Sequence, residues 1–217
     1  MAARTTHAGM TDTPRHRVIA PRILYFGTPV ALLSTLNEDG SPNLTPLSSA
    51  WALDDRLVLG LGMLGQGLEN LRRTREAVVN LPSAALWPHV ERLAPTTGRF
   101  PVPDEKRDRG YEHEPRKFER AGLTPLPSDT VSPPRVAECP LQLEAVLLAA
   151  HMATPTPEHP SDFVIAELRV TRVHAHEHVT VPDTHHVDVT RWQPLLYVFR
   201  HYVGTGPGLG RNFRAET

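Results

Sequence analysis

The stretch that most constrains this chain is Val30 to Trp51, VALLSTLNEDGSPNLTPLSSAW. Val30 to Leu36 is apolar and β-branched enough for a core strand. Glu38-Asp39-Gly40 supplies turn chemistry, with Gly40 at the position that needs positive φ. The return run, Pro42 to Trp51, carries two prolines and several small hydroxyls. Proline cannot donate to a ladder, so a strand holding Pro46 belongs at a sheet edge or a bulge. An edge leaves backbone N–H and C=O groups free beside Thr45, Ser48 and Ser49, which suits a planar ligand with amide-like edges. An ordinary edge facing water or a second subunit explains the same residues.

Asp54-Asp55 makes the next turn and Arg56 to Leu61 a third strand, followed by the glycine-rich run Gly60 to Gly67 and a helix over Leu68 to Arg75. The run contains a GxGxxG match, but no βαβ pattern follows and no acidic residue lies at the spacing that would hold a ribose. What remains is a glycine turn feeding a helix N-terminus, where free N–H groups and the dipole favour an anion. Arg72 and Arg73 sit one turn in and add charge. The i,i+4 pair Glu69–Arg73 on a solvated face accounts for them equally well.

Ala77 to Leu81 reads as another buried strand. Strand patterns then vanish over 84–135, an excursion with helices near Leu86 to Leu93 and Pro115 to Ala121 and a polar loop from Ala94 to Gly110. An excursion of this length suits a lid or a dimer arm. Strands resume at Val136 to His151, Phe163 to His178 and Leu195 to Tyr202, with a short helix near Asp188 to Trp192. The fold class is therefore mainly β, a barrel with a few peripheral helices, over 21–206. Residues 1–20 read as a flexible arm and 207–217 as a tail.

Composition narrows the function classes. A net charge of -1 leaves no electrostatic footprint for nucleic acid or a membrane surface. The single cysteine, Cys139, excludes an internal disulfide framework and reads as a buried inert thiol. No segment has the apolar length of a membrane span, and the first 20 residues lack the apolar core of a secretory signal, so a cytoplasmic location is expected.

His174, His176 and His178 alternate in an expected strand and so share one face. Two imidazoles at that spacing can chelate a metal, and so can a merely solvated face carry them; Glu177 points the other way, and no metal is assigned. His113 lies on the excursion, where it could close over a ligand. His201-Tyr202 falls near the end of the barrel, and a histidine there has the near-neutral pKa that general acid–base work needs.

Several segments in order carry a family likeness: LYFGTPVALLSTLNEDGSPNLTPLSSAW, ENLRRTREAVVNLPS, KFERAGLTPLPSDTVSPPRVAECPLQLEAV and PLLYVFRHYVGTG. Over Ile23 to Gly206 the chain resembles the flavin reductase-like, FMN-binding split-barrel family. The resemblance implies a split β-barrel, a homodimer with FMN near the subunit interface, and hydride transfer from NAD(P)H to flavin, often for a partner monooxygenase. In such enzymes the cofactor does the hard chemistry and the protein orients it. By motif, Asn43, Leu44, Thr45 and Pro46 would border the flavin ring, and Ser48 and Ser49 would lie near its ribityl or phosphate. Where family members commonly carry Ser, Lys and Thr for the phosphate, this chain reads Gly65, Gln66 and Gly67, so backbone N–H groups and Arg72 would have to compensate. The alternative is a barrel that has lost FMN and runs a redox-neutral acid–base reaction on a natural-product-like small molecule, with His201, Tyr202 or His113 moving the proton.

Overall fold

The computed structural model describes residues 14–156 and 162–212, so the expected arm and tail lie partly outside the described residues. In chain order the elements are β1 (Phe26–Pro29), β2 (Ala31–Leu36), β3 (Pro42–Leu47), β4 (Ala50–Leu53), β5 (Arg56–Gly62), α1 (Gln66–Thr74) and β6 (Glu76–Leu81). The excursion holds α2 (Trp87–Leu93), β7 (Thr96–Thr97), α3 (Asp104–Arg107), β8 (Glu112–His113), α4 (Lys117–Ala121), β9 (Pro125–Leu126) and β10 (Arg135–Val136). The chain closes with β11 (Leu141–Met152), β12 (Phe163–Ala175), β13 (Leu196–Val198) and β14 (His201–Val203).

Seven antiparallel strands form the main sheet, in the order β3-β2-β6-β11-β12-β5-β4. Its two edges, β3 and β4, are consecutive in the chain and joined only by Ser48 and Ser49. A sheet whose edges are tied by two residues must curl round on itself, and that is the split barrel. The run expected as one edge strand is therefore two edge strands. Pro46 brings no donor to the end of β3, and the small Ser49 accepts from the Gly60 amide at 2.7 Å as the chain crosses. A Cβ on Gly60 would lie 2.8 Å from the Ser49 Cβ, so that crossing needs a glycine.

Alternation along β2 divides the core. Leu33 joins Leu59, Leu68, Val79 and Leu168 inside the barrel. Leu32 faces the other way and packs with Leu44, Val90, Phe118 and Leu195 under the excursion. The Asn37–Ser41 turn has Gly40 at φ +81, as its chemistry requires.

Four expected elements differ. The strand expected from Val136 breaks into β10 and β11 at Ala137 to Pro140, where proline interrupts the ladder. The strand over Phe163 to His178 ends at Ala175, so His176 and His178 leave the sheet and the three histidines do not share a face. Leu195 to Tyr202 is a hairpin, β13–β14, turned at Phe199 and Arg200 with φ 43 and 71. Asp188 to Trp192 forms a turn held by the Asp188 carbonyl rather than a helix. No helix among the described residues is long and apolar enough to cross a membrane.

Candidate functional site

A cavity of about 630 Å³ opens where β3 crosses to β4. One wall is Thr45 to Ser49, and the facing wall is Gly60 to Gly65, the end of β5 and the turn into α1. The roof comes from the excursion: Ala94, Thr96, Glu105, Lys106, Arg109 and Tyr111. Tyr25 and Asp162 complete the lining. The Tyr25 hydroxyl shares a 2.9 Å hydrogen bond with Ser49 Oγ, which fixes the rim. A Cβ on Gly62 would meet nothing within 4 Å, so the glycine keeps this wall open.

The expected cofactor residues divide between the lining and the support behind it. Thr45, Pro46, Ser48, Ser49 and Gly65 line the cavity. Asn43 and Leu44 are buried behind it, Leu44 in the outer core and Asn43 in a polar network. Asn43 Nδ2 donates to Thr45 Oγ1 at 3.2 Å and to Thr35 Oγ1 at 3.4 Å. Asn70 Nδ2 donates to Thr35 Oγ1 and to Asn37 Oδ1, and Gln66 Nε2 donates to Asn70 Oδ1 at 2.9 Å. Gln66 therefore spends its amide N–H within α1, on Asn70, and it is Asn70 that ties the helix to β2 and its turn. Gly67 has a packing reason as well: a Cβ there would sit 2.6 Å from Thr45 Oγ1. Arg72 is exposed and lines no cavity described here.

Charge enters from a different direction than the glycine turn suggested. The chain has only two lysines, Lys106 and Lys117, and both converge on β7. Lys106 Nζ donates to Thr97 Oγ1 at 3.2 Å and lies 5.4 Å from the centre of the Tyr111 ring. Burial, and then the Arg99 cation, hold its pKa below the ordinary lysine value. Lys117 is buried, donates to Thr96 Oγ1, and is pulled by burial and then by Lys106 to a pKa of about 7. Lys106 lines the cavity beside Glu105 and Arg109, and Lys117 is buried behind Thr96, so disfavoured positive charge gathers at this end of the cavity. Within the polar excursion the two lysines read as ordinary surface residues, because only the packing of α3, which carries Lys106, and α4, which carries Lys117, brings them together at β7.

The expected catalytic group does not assemble here. His201 and Tyr202 line a second cavity of about 570 Å³, with Trp87, Glu91, Leu195 and Arg200. There the Tyr202 hydroxyl donates to Glu91 Oε2 at 3.1 Å, and burial and that bond push its pKa up, so it remains a donor. His113 lies against Phe100, with ring centres 5.1 Å apart, and lines neither cavity.

The histidines near the end of β12 have structural partners. His174 Nε2 meets Glu144 Oε1 at 2.7 Å, a carboxylate contributed by β11 that strand spacing alone did not reveal. His176 Nε2 bonds the Ala137 carbonyl at 2.8 Å. Ligand atoms of Asp129, Glu144 and His174 lie within 4.8 Å of one another. Glu144, however, already accepts from the Asp129 and Thr130 amides, the Thr130 hydroxyl and His174. This is a clamp holding the loop before β10 to the sheet. The buried Cys139 thiol is pushed up by burial, which leaves it protonated and inert.

With this geometry in view, comparison with known proteins is specific. The model of the flavin reductase like domain matches residues 23–206. A Bacillus subtilis (strain 168) relative, described as uncharacterized protein YdfE, is 44% identical over 206 residues, covering 95% of this chain and 97% of that one. Flavoredoxin of Desulfovibrio vulgaris (Miyazaki F) superposes with a TM-score of 0.73 at 21% identity, covering 93% of this chain and 99% of that one. Nitrilotriacetate monooxygenase component B from Bacillus cereus gives 0.72 at 19% identity, with 92% and 100% covered.

Proposed function

Because this chain belongs to the flavin reductase like family, we propose that it is an FMN-dependent oxidoreductase that accepts hydride from NADH or NADPH at the main cavity. The observation that carries this reading is the cavity's wall. Thr45 to Ser49 offers hydroxyls and a strand edge to a planar face, and Gly62 leaves room opposite. Bound FMN would supply the hydride-accepting ring, which no side chain can replace. The protein's part is to bind and orient it. Met63 gives apolar contact across from the hydroxyls, and the Asn43–Asn70 network keeps Thr45 from moving. The phosphate end falls to Lys106 and Arg109, because Gly65, Gln66 and Gly67 present no charged side chain.

Titration of the purified protein with FMN, followed by flavin fluorescence, is expected to saturate in the micromolar range, about -8 kcal/mol. NADH or NADPH added without oxygen is then expected to bleach the bound flavin. A protein that ignores FMN at these concentrations loses this assignment and keeps its fold.

The same reading includes a homodimer and a partner monooxygenase that consumes the reduced flavin. The outer face of β4, β5 and β12 supports the first. Trp51 and Leu53 are 57% and 67% exposed, and Phe163 and Ile165 on the neighbouring strands are 44% and 41% exposed. An exposed apolar patch of this kind, edged by the Arg56–Glu167 ion pair, marks an interface, and it borders the cavity rim at Ser49. Trp51→Glu combined with Ile165→Glu is expected to halve the mass seen by light scattering. An unchanged mass would remove this face from the interface.

A further inference from the structure

We propose that Tyr25, Tyr197, Tyr202 and Trp87 form a relay that carries an oxidising equivalent from the main cavity to the protein surface. It rests on the redox reading of that cavity. Aromatic residues are only 6% of this chain, yet three of its four tyrosines make successive ring contacts. Tyr25 lines the main cavity and is anchored there by Ser49. Its ring centre is 5.3 Å from that of Tyr197, which is 5.6 Å from Tyr202, which is 6.3 Å from Trp87. Trp87 is 50% exposed and lines the second cavity, where a small reductant can reach it. Three segments far apart in sequence supply these rings: the segment before β1, the β13–β14 hairpin and α2. The hairpin brings Tyr197 directly opposite Tyr202 in register, and the turn that does so holds Phe199 and Arg200 at positive φ. Two bulky residues at positive φ are costly, so this turn is specified rather than incidental.

Tyrosine gives up an electron readily only when its proton has somewhere to go. Tyr202 has that acceptor in Glu91 Oε2 at 3.1 Å. The oxidant is a one-electron radical of the kind formed where a reduced cofactor meets dioxygen. It gains an electron that passes through Tyr25 and Tyr197, and the Tyr202 hydroxyl loses that electron and gives its proton to Glu91. The products are the reduced oxidant, a neutral tyrosyl radical at Tyr202 and a neutral Glu91 carboxyl. A one-electron reductant of the thiol or ascorbate class then donates through Trp87, and Glu91 returns the proton. The relay thereby keeps damage away from the cavity wall.

Pulse radiolysis of the full chain without cofactor tests the outer half, with azidyl radical as the probe and Trp51→Phe and Trp192→Phe leaving Trp87 as the one indole. The tryptophanyl signal is expected to decay in a concentration-independent step with matching growth of a tyrosyl signal. Tyr202→Phe, which keeps the ring packing, is expected to abolish that growth, and Glu91→Gln to slow it. Growth that survives Tyr202→Phe, or a decay that depends on protein concentration, overturns the relay. The inner half is read with FMN loaded and illuminated, the excited flavin being the oxidant. Peptide mapping should find oxidation at Tyr202, moving to Tyr25 in Tyr197→Phe; oxidation confined to Tyr25 in both proteins overturns it. Because the radiolysis uses no flavin, failure to bind FMN and failure of the relay are separate results.

Discussion

Replacing Lys106 with alanine is expected to weaken FMN binding about ten- to a hundredfold, the size of one charge-assisted hydrogen bond of about 1.5–3 kcal/mol. The glycine turn presents no cation, and Gln66 is engaged with Asn70. Lys106 lines the cavity, its hydrogen-bond partner among the described residues is the neutral Thr97 hydroxyl, and its charge is already disfavoured by burial and by Arg99. An arriving phosphate relieves that situation and gains a strong partner. Riboflavin, which has the ring without the phosphate, is the control. Its affinity should barely change in the variant. Equal losses for FMN and riboflavin would mean that Lys106 touches the ring and that the phosphate lies elsewhere.

Acid should destabilise this protein in a window that one residue sets. Burial pushes the Glu144 pKa up, but hydrogen bonds from Thr130, the Asp129 amide and His174 outweigh it and hold the pKa at about 2, against an ordinary 4.5. The folded state therefore holds this carboxyl ionised where the unfolded chain protonates it. The stabilisation is complete above pH 4.5 and is lost as pH falls toward 2. A depression of this size corresponds to about 3 kcal/mol. Denaturant unfolding at a series of pH values should show that loss in the parent protein. In Glu144→Gln the curve should be flatter across the window and lower at neutral pH, where the donors lose a charged acceptor. Parallel curves for the two proteins would assign the acid sensitivity to other groups.

Both predictions depend on residues that sequence reading treats as unremarkable. Lys106 sits in Asp-Glu-Lys-Arg, an ordinary solvated turn by its neighbours. Glu144 alternates with apolar residues in β11 and looks like an outward-facing strand residue, yet it is fully buried. Its loop partners are 14 and 15 residues away, and His174 is 30 away on the next strand. Local periodicity carries no information about contacts at such separations. The reverse holds for His174, His176 and His178, whose regular spacing suggested one face. The strand ended before the pattern did.

What the chain's own order of residues determined was the architecture. Prolines that cannot donate, Gly40 in its turn and apolar alternation in β2 are local constraints, and together they require a sheet with edges near Thr45. They also located one wall of the cavity. The tertiary structure decided the rest: that β3 and β4 are the two ends of one curled sheet, that Gln66 is bonded to Asn70 and Gly67 packed against Thr45, and that charge reaches the cavity from α3. Those outcomes arise because burial, desolvation and ring contact depend on which distant segments meet, and no local pattern encodes that meeting.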